Sequence, residues 1–122
     1  MRKGTAERRP LRRPSEVLGL TRETVAEKIG PILDRWPVER AWLYGSVARG
    51  KQGPRSDVDL SIELAEDGRM GLEVFHLQNE LEDALHADVD VQTPPNRRMA
   101  TRTFLEEYDR DRVLVYERVR QR

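Results

Sequence analysis

Two aspartates separated by a single residue carry the strongest chemical signal in this sequence of 122 residues. Asp57 and Asp59 begin a segment that alternates polar and apolar side chains through Leu64, which predicts a half-buried β-strand. On a strand, side chains two residues apart point to the same side, about 6.6 Å from each other. Such carboxylates can share a Mg²⁺ ion whose shell is completed by water and substrate phosphate. A solvated polar strand face is the alternative, and an Asp-x-Asp pair alone does not exclude it.

A second alternating segment offers a third carboxylate. In Asp88-Val89-Asp90-Val91, the two aspartates lie on the face opposite the two valines. If this strand neighbours the first one, Asp90 can join the aspartate pair, and three carboxylates can hold two metal ions about 3.5–4 Å apart. Asp88 shares the face of Asp90, so the residues alone leave both as candidates for the third position.

A glycine-containing segment precedes the aspartate pair. Residues 41–44 predict a short buried strand, and Gly45-Ser46 follows it at a predicted helix start. Glycine permits close backbone approach, and exposed N–H groups at such a point can hold a phosphate. Residues 49–56 form a turn-rich loop. Arg49 in this loop can contact phosphate through its planar fork, or it can pair with a nearby Asp or Glu.

Residues 45–60, GSVARGKQGPRSDVDL, resemble the signature of the minimal nucleotidyltransferases of the DNA polymerase beta-like superfamily. That pattern is Gly-Ser, one residue, Ala-Arg-Gly, five residues, Ser-Asp, one residue and Asp-Leu. The resemblance covers roughly residues 25–116, and only residues 45–60 are sharply diagnostic. The matching positions are Gly45, Ser46, Ala48, Arg49, Gly50, Ser56, Asp57, Asp59 and Leu60.

The resemblance implies a role for each residue of the predicted site. Nucleotide phosphates would be held by Gly45 and Ser46, with Arg49 and Ser56 completing the nucleotide-binding set. Two Mg²⁺ ions would be held by Asp57, Asp59 and Asp90, and Asp90 would also orient and deprotonate the attacking hydroxyl.

The implied enzyme is an adenylyltransferase that moves AMP, or another nucleoside monophosphate, from ATP or a related nucleotide to a hydroxyl. Minimal members of the family resemble antitoxins that bind a HEPN-type toxin and in some cases add AMP to its tyrosine, so we expect a HEPN-domain partner and a homo- or hetero-oligomer. One alternative is a non-catalytic module that neutralises its partner by occlusion. Another is a small-molecule transferase of the aminoglycoside-modifying kind, which the lack of an added helical domain disfavours.

Composition limits the other classes of function. Lys plus Arg equals Asp plus Glu at 22 each, so there is no global basic excess to favour nucleic acid as a partner. Cysteine is absent, which excludes disulfides, thiolate metal sites and cysteine nucleophiles. The basic N-terminus lacks the apolar stretch of a signal peptide, and no run of about 18 apolar residues occurs. We therefore expect a cytoplasmic protein without membrane contact.

The elements that position the site read as helix, strand, strand, helix, strand, helix, strand. This order predicts an α/β (α+β) domain with a small mixed sheet of about four strands and three to four helices. Residues 1–19 predict a basic tail or docking arm, and residues 20–122 the nucleotidyltransferase domain. Thr21 is expected to cap the first helix, which Gly30-Pro31 should kink or divide. Further helices are expected at residues 70–85 and 96–108, and a last strand at 113–116.

Structural roles are assigned to His76, His86, Trp36, Trp42, Tyr108 and Tyr116.

Overall fold

The computed structural model describes residues 14–66, 68–94 and 97–119, which form a four-stranded sheet and its covering helices. The sheet order is β3-β2-β1-β4, where β1 pairs antiparallel with β2 and β4, and β2 pairs parallel with β3. The predicted small mixed sheet is confirmed. The strands are β1 Val38–Tyr44, β2 Val58–Leu64, β3 Val89–Gln92 and β4 Val113–Glu117. The helices are α1 Arg22–Leu33, α2 Gly45–Arg49, α3 Glu73–Leu85 and α4 Arg102–Asp111, preceded by a 3₁₀ turn at Val17–Gly19.

One face of the sheet forms the hydrophobic core. Its inward residues alternate along each strand and pack against the apolar stripes of α1 and α3. Within the described residues, no helix has the length and apolar character needed to cross a membrane. The buried residues at the centre of this core are Ala41, Leu43, Val58, Leu60, Ile62 and Val89 from the sheet, with Val25, Ile29, Leu33, Leu77, Leu81 and Leu85 from the helices.

The first helix begins where the sequence predicts. The Thr21 side chain accepts a hydrogen bond from the Thr24 N–H at 3.0 Å, and Leu20 and Val25 are both buried as a hydrophobic staple. The helix continues through Pro31 and ends at Leu33, so of the two expected effects of Gly30-Pro31, a kink or a division, the division does not occur. Proline lacks an N–H, so one helical hydrogen bond is lost at Pro31. The helix ends two residues later, so few hydrogen bonds depend on the turn that contains Pro31.

The N-terminal boundary of the folded part lies earlier than residue 20. Val17 is completely buried, and the Glu16 N–H donates to the His86 carbonyl at 2.7 Å. The Gln52 amide also donates to the carbonyls of Val17 and Leu20, at 3.0 and 2.8 Å. Residues 16–19 therefore belong to the domain and not to a tail. Residues 1–13 of the predicted arm lie outside the described residues.

The second face of the sheet is covered in part by α4. The Tyr108 hydroxyl donates to Ser61 Oγ at 2.8 Å, and Ser61 is 1% exposed. The strict alternation in β2 predicted a polar, outward position for Ser61, whereas the residue is buried beneath a helix. Because Ser61 has a hydrogen-bond partner, its burial carries no unsatisfied polar group. Helix α4 thus leaves open only part of the face that carries the aspartates.

Candidate active site

Three side chains form a row across the sheet on the face opposite the core. Tyr44 is the register partner of Asp59 in the antiparallel pair of β1 and β2, and Asp59 is the register partner of Asp90 in the parallel pair of β2 and β3. Register partners on neighbouring strands project to the same face, with the strands about 4.8 Å apart. The two aspartate strands are neighbours, so the condition for Asp90 to lie beside Asp59 is met. The two carboxylates therefore meet on one half-buried surface.

Gly45 lies directly against this row. Its φ is +76°, a left-handed conformation, and a Cβ built on it would collide with the Asp59 carboxylate. Any other residue would have to adopt an unfavourable backbone conformation and also displace Asp59. The glycine of the motif is therefore required for two separate reasons. Ser46 follows in the first turn of α2 and is half-buried.

Tyr44 is a member of the row that the sequence did not reveal. Burial, followed by the negative charges of Asp59 and Asp90, raises the pKa of the Tyr44 hydroxyl well above its ordinary value. Its ring packs edge-on against Tyr108, with ring centres 5.8 Å apart. The hydroxyl therefore keeps its proton beside two carboxylates. The available sequence signal was its position at the end of β1, immediately before Gly45.

The register also separates the two candidates for the third carboxylate. Asp90 lies level with Asp59, and Gln92 Nε2 donates to Asp90 Oδ2 at 2.8 Å, which orients that carboxylate. Asp88 precedes β3, its carbonyl accepts the Val58 N–H at 2.8 Å, and one of its carboxylate oxygens is enclosed. The register therefore places Asp90, and not Asp88, beside Asp59. Gln92, two residues farther on the same face, was also missed, although the period of two in a strand would have indicated it.

Strand β3 is an edge strand, and a buried carboxylate holds its beginning. Glu82 on α3 is 2% exposed and accepts the Val89 N–H at 3.0 Å. This contact satisfies a backbone donor that faces away from β2. It fixes the start of the strand that carries Asp90.

Asp57 stands immediately before β2 and is half-buried, with one carboxylate oxygen enclosed. Across residues 14–66, 68–94 and 97–119, no three His, Cys, Asp or Glu side chains are grouped closely enough to hold a metal ion. The strand register therefore pairs Asp59 with Asp90, and Asp57 lies two residues before Asp59 in the chain. Magnesium usually takes one or two carboxylates and completes its shell with water and substrate phosphates. The all-carboxylate donor set fits a magnesium site of that kind.

The two remaining predicted residues lie at either end of the loop after α2. The guanidinium of Arg49 is half-exposed, with Nη1 3.8 Å from Asp111 Oδ2. An exposed pair of this kind contributes about 0–1 kcal/mol, so it can be exchanged for a phosphate at little cost. Ser56 Oγ accepts the Gly53 N–H at 2.9 Å and closes the turn of the loop. Both residues therefore have structural partners in this arrangement.

Comparison with known proteins agrees with this geometry. The family described as polymerase beta, nucleotidyltransferase matches residues 27–121. A Methanocaldococcus jannaschii protein provisionally named a protein adenylyltransferase is 42% identical over 69 residues, which cover 57% of this chain and 73% of that protein.

Two solved structures resemble the fold. One, provisionally named a minimal nucleotidyltransferase, is 28% identical with a TM-score of 0.60, and the match covers 78% of this chain and 96% of that one. The other is a chain from the complex of tri-AMPylated Shewanella oneidensis HEPN toxin with its MNT antitoxin. It is 20% identical with a TM-score of 0.55 over 80% of this chain and 74% of that one, a likeness of fold alone. With its family match and its row of carboxylates beside Gly45, the chain belongs to the polymerase beta family of nucleotidyltransferases.

Proposed function

We propose that this chain transfers AMP from ATP to a hydroxyl of a HEPN-type partner protein, in a reaction that depends on Mg²⁺. The observation that carries the proposal is the row of Tyr44, Asp59 and Asp90, with Gly45 packed against it. The name of the M. jannaschii relative supports a protein acceptor, and the S. oneidensis complex supports a HEPN partner.

In this proposal the nucleotide phosphates bind beside Gly45 and Ser46, where the absence of a side chain allows close backbone approach. Arg49 exchanges its weak contact with Asp111 for a contact with a phosphate oxygen. The Ser56 hydroxyl, whose oxygen accepts the Gly53 N–H, donates a hydrogen bond to the phosphates. Magnesium would be held by the acidic residues Asp57, Asp59 and Asp90, with one or two carboxylates to each ion and with water and substrate phosphate completing its shell. The bound metal would supply positive charge that neutralises the triphosphate and favours ionisation of the attacking hydroxyl.

Asp90 is assigned the role of general base. Its carboxylate, oriented by Gln92, accepts the proton of the acceptor hydroxyl as the oxygen attacks the α-phosphorus of ATP. A new oxygen–phosphorus bond forms, the bond from the α-phosphorus to the bridging oxygen breaks, and pyrophosphate leaves. Tyr44 remains protonated next to the aspartates and can donate a hydrogen bond there without adding negative charge.

Intact-mass spectrometry tests the proposal. The chain is incubated with ATP, Mg²⁺ and the protein encoded beside it, in parallel with Asp59→Asn and with Asp83→Asn. Asp83 is an exposed aspartate on α3, outside the row, and provides a matched control. We expect the partner to gain the mass of one or more AMP groups with wild type and Asp83→Asn, and no gain with Asp59→Asn.

Transfer retained by Asp59→Asn would refute the catalytic assignment. A stable complex with no mass gain from the wild-type protein would instead favour neutralisation by occlusion. Circular dichroism of each variant shows whether the fold is intact, so that lost transfer is not mistaken for unfolding.

A further inference from the structure

A pocket of about 170 Å³ lies between α2 and α4, beside the carboxylate row. One wall is the face of α4 formed by Phe104, Glu107, Tyr108 and Asp111, which recur at helical spacing. The opposite wall is formed by Tyr44, Gly45 and Arg49. Because Tyr44 and Gly45 line the pocket and also adjoin Asp59, the pocket lies next to the carboxylate row.

The pocket is bounded by stacked aromatic rings. Phe104 stacks on Tyr108 with ring centres 6.3 Å apart and planes inclined by 19°, yet Phe104 is 50% exposed. Tyr108 is fixed by its hydrogen bond to Ser61 and by its edge contact with Tyr44. A rigid aromatic ring that keeps half its surface open is suited to stacking with a flat ligand group. A space of this size resembles the engineered apolar cavity of about 150 Å³ that accepts benzene, so one planar ring system matches its scale.

Charge determines which end of a nucleotide suits this pocket. Glu107 and Asp111 line it, and on the opposite wall Arg49 Nη1 lies 3.8 Å from Asp111 Oδ2. Asp111 also pairs with Arg110 Nε at 3.1 Å, so it is mainly Glu107 that disfavours a triphosphate at this place, since like charges repel more strongly at a partly enclosed surface than in water. An uncharged base carries no such penalty, and its N–H groups can donate to carboxylate oxygens.

We propose that the pocket between α2 and α4 holds the nucleobase of the nucleoside triphosphate, with the base stacked on Phe104 and the phosphates directed toward Gly45 and Ser46. The inference rests on the proposed function and extends it, because it names the residues that bind the part of the substrate distant from the reaction. Phe104 is then a binding residue that contributes to affinity for the nucleotide and not to the chemical step.

The inference is tested by comparing the affinity for a ligand that has a base with the affinity for a ligand that lacks one. Isothermal titration calorimetry with Mg²⁺-ATP and with Mg²⁺-tripolyphosphate is performed on wild type and on Phe104→Ala, which removes a half-exposed ring. Base stacking on an aromatic side chain corresponds to roughly tenfold or more in affinity. We expect Phe104→Ala to weaken ATP binding by about that factor and to leave tripolyphosphate binding unchanged. Leu114→Ala, at an apolar position that is 49% exposed and outside the pocket, should change neither affinity.

The outcomes separate this inference from the proposed function. If wild type binds ATP and Phe104→Ala binds it equally well, the pocket assignment is overturned while the proposed transfer stands. Equal losses for ATP and tripolyphosphate would overturn the assignment as well, since the effect would not depend on the base. If wild type binds no ATP, both the pocket assignment and the proposed function fail.

Discussion

Gly45 shows at the scale of one residue why the motif requires a particular amino acid. Its positive φ and its contact with the Asp59 carboxylate are independent constraints. Two glycines that follow Gly45 allow the effects of these two constraints to be measured separately. Gly50 has a φ of +68° with open space around its Cα, whereas Gly53 has neither a positive φ nor a close neighbour. Substitution at these three positions therefore distinguishes backbone strain from steric displacement.

We predict that Gly45→Ala destabilises the fold and abolishes transfer. The left-handed conformation costs a residue with a Cβ about 1–2 kcal/mol, and the displacement of Asp59 adds to that cost. Gly50→Ala should show only the strain, and Gly53→Ala should change the free energy of unfolding by no more than about 0.5 kcal/mol. Urea denaturation and the AMP-transfer assay measure both effects. A Gly45→Ala variant as stable and active as wild type would contradict the packing argument.

At the scale of elements, the C-terminal strand closes the domain by contacts with the end of α1. Tyr116 on β4 donates its hydroxyl proton to Asp34 Oδ1 at 2.6 Å. Arg118, just after the strand, donates from Nε to the Val38 carbonyl at 2.9 Å and from Nη2 to the Leu33 carbonyl at 3.1 Å. The bond to Leu33 engages a carbonyl at the end of α1 that lacks an intrahelical partner, and the bond to Val38 reaches the first residue of β1. They join β4 to α1 across most of the chain length.

We predict that stability decreases at high pH partly through Tyr116. Burial, with a smaller effect from the hydrogen bond to Asp34, raises the pKa of Tyr116 to about 12. The unfolded chain has the ordinary pKa of about 10 and loses this proton first. The contribution is therefore complete below pH 10 and is lost as pH rises through about 12. Urea unfolding at a series of pH values measures it.

Tyr116→Phe provides the comparison. It should make the decline of stability with rising pH shallower, without removing it, because Tyr44 also has a raised pKa. An unchanged slope in the variant would show that Tyr116 titrates normally in the folded protein.

At the scale of the whole molecule, the parallel pairing of β2 with β3 assembles the candidate site from segments that are distant in sequence. The register places Asp90, and not Asp88, level with Asp59. Helix α3 spans the connection between the two strands and holds the start of β3 through Glu82. Under the proposed function, the choice of Asp90 as general base therefore rests on the tertiary pairing.

We predict that Asp90→Asn and Asp88→Asn differ in their effect. Asp90→Asn should lower the transfer rate by about 10²–10⁴-fold, the usual contribution of a general base, while ATP binding is retained. Asp88→Asn should keep most of the rate. The Asp88 carbonyl accepts the Val58 N–H, and this main-chain hydrogen bond is unaffected by a change of side chain. Single-turnover rates and ATP affinity are measured for both variants. A larger loss of rate in Asp88→Asn would reverse the assignment.

The sequence by itself determined the parts of this protein that depend on local pattern. Alternation predicted β2, helical spacing and Thr21 predicted α1, and residues 45–60 predicted the glycine turn with its two aspartates. Periodicity and backbone conformation are properties of neighbouring residues, so a short segment contains the information. The order of elements also constrained the sheet to a small mixed one.

The tertiary structure decided what depends on contacts between distant segments. It placed Val17 in the core, buried Ser61 beneath α4, aligned Asp90 with Asp59, and brought Tyr44 and Gln92 to the carboxylates. None of these outcomes follows from the periodicity of one segment. Strand register, and the packing of a helix on a polar sheet face, depend on segments that are distant in the sequence. The motif therefore identified the chemistry, and the fold selected the residues that surround it.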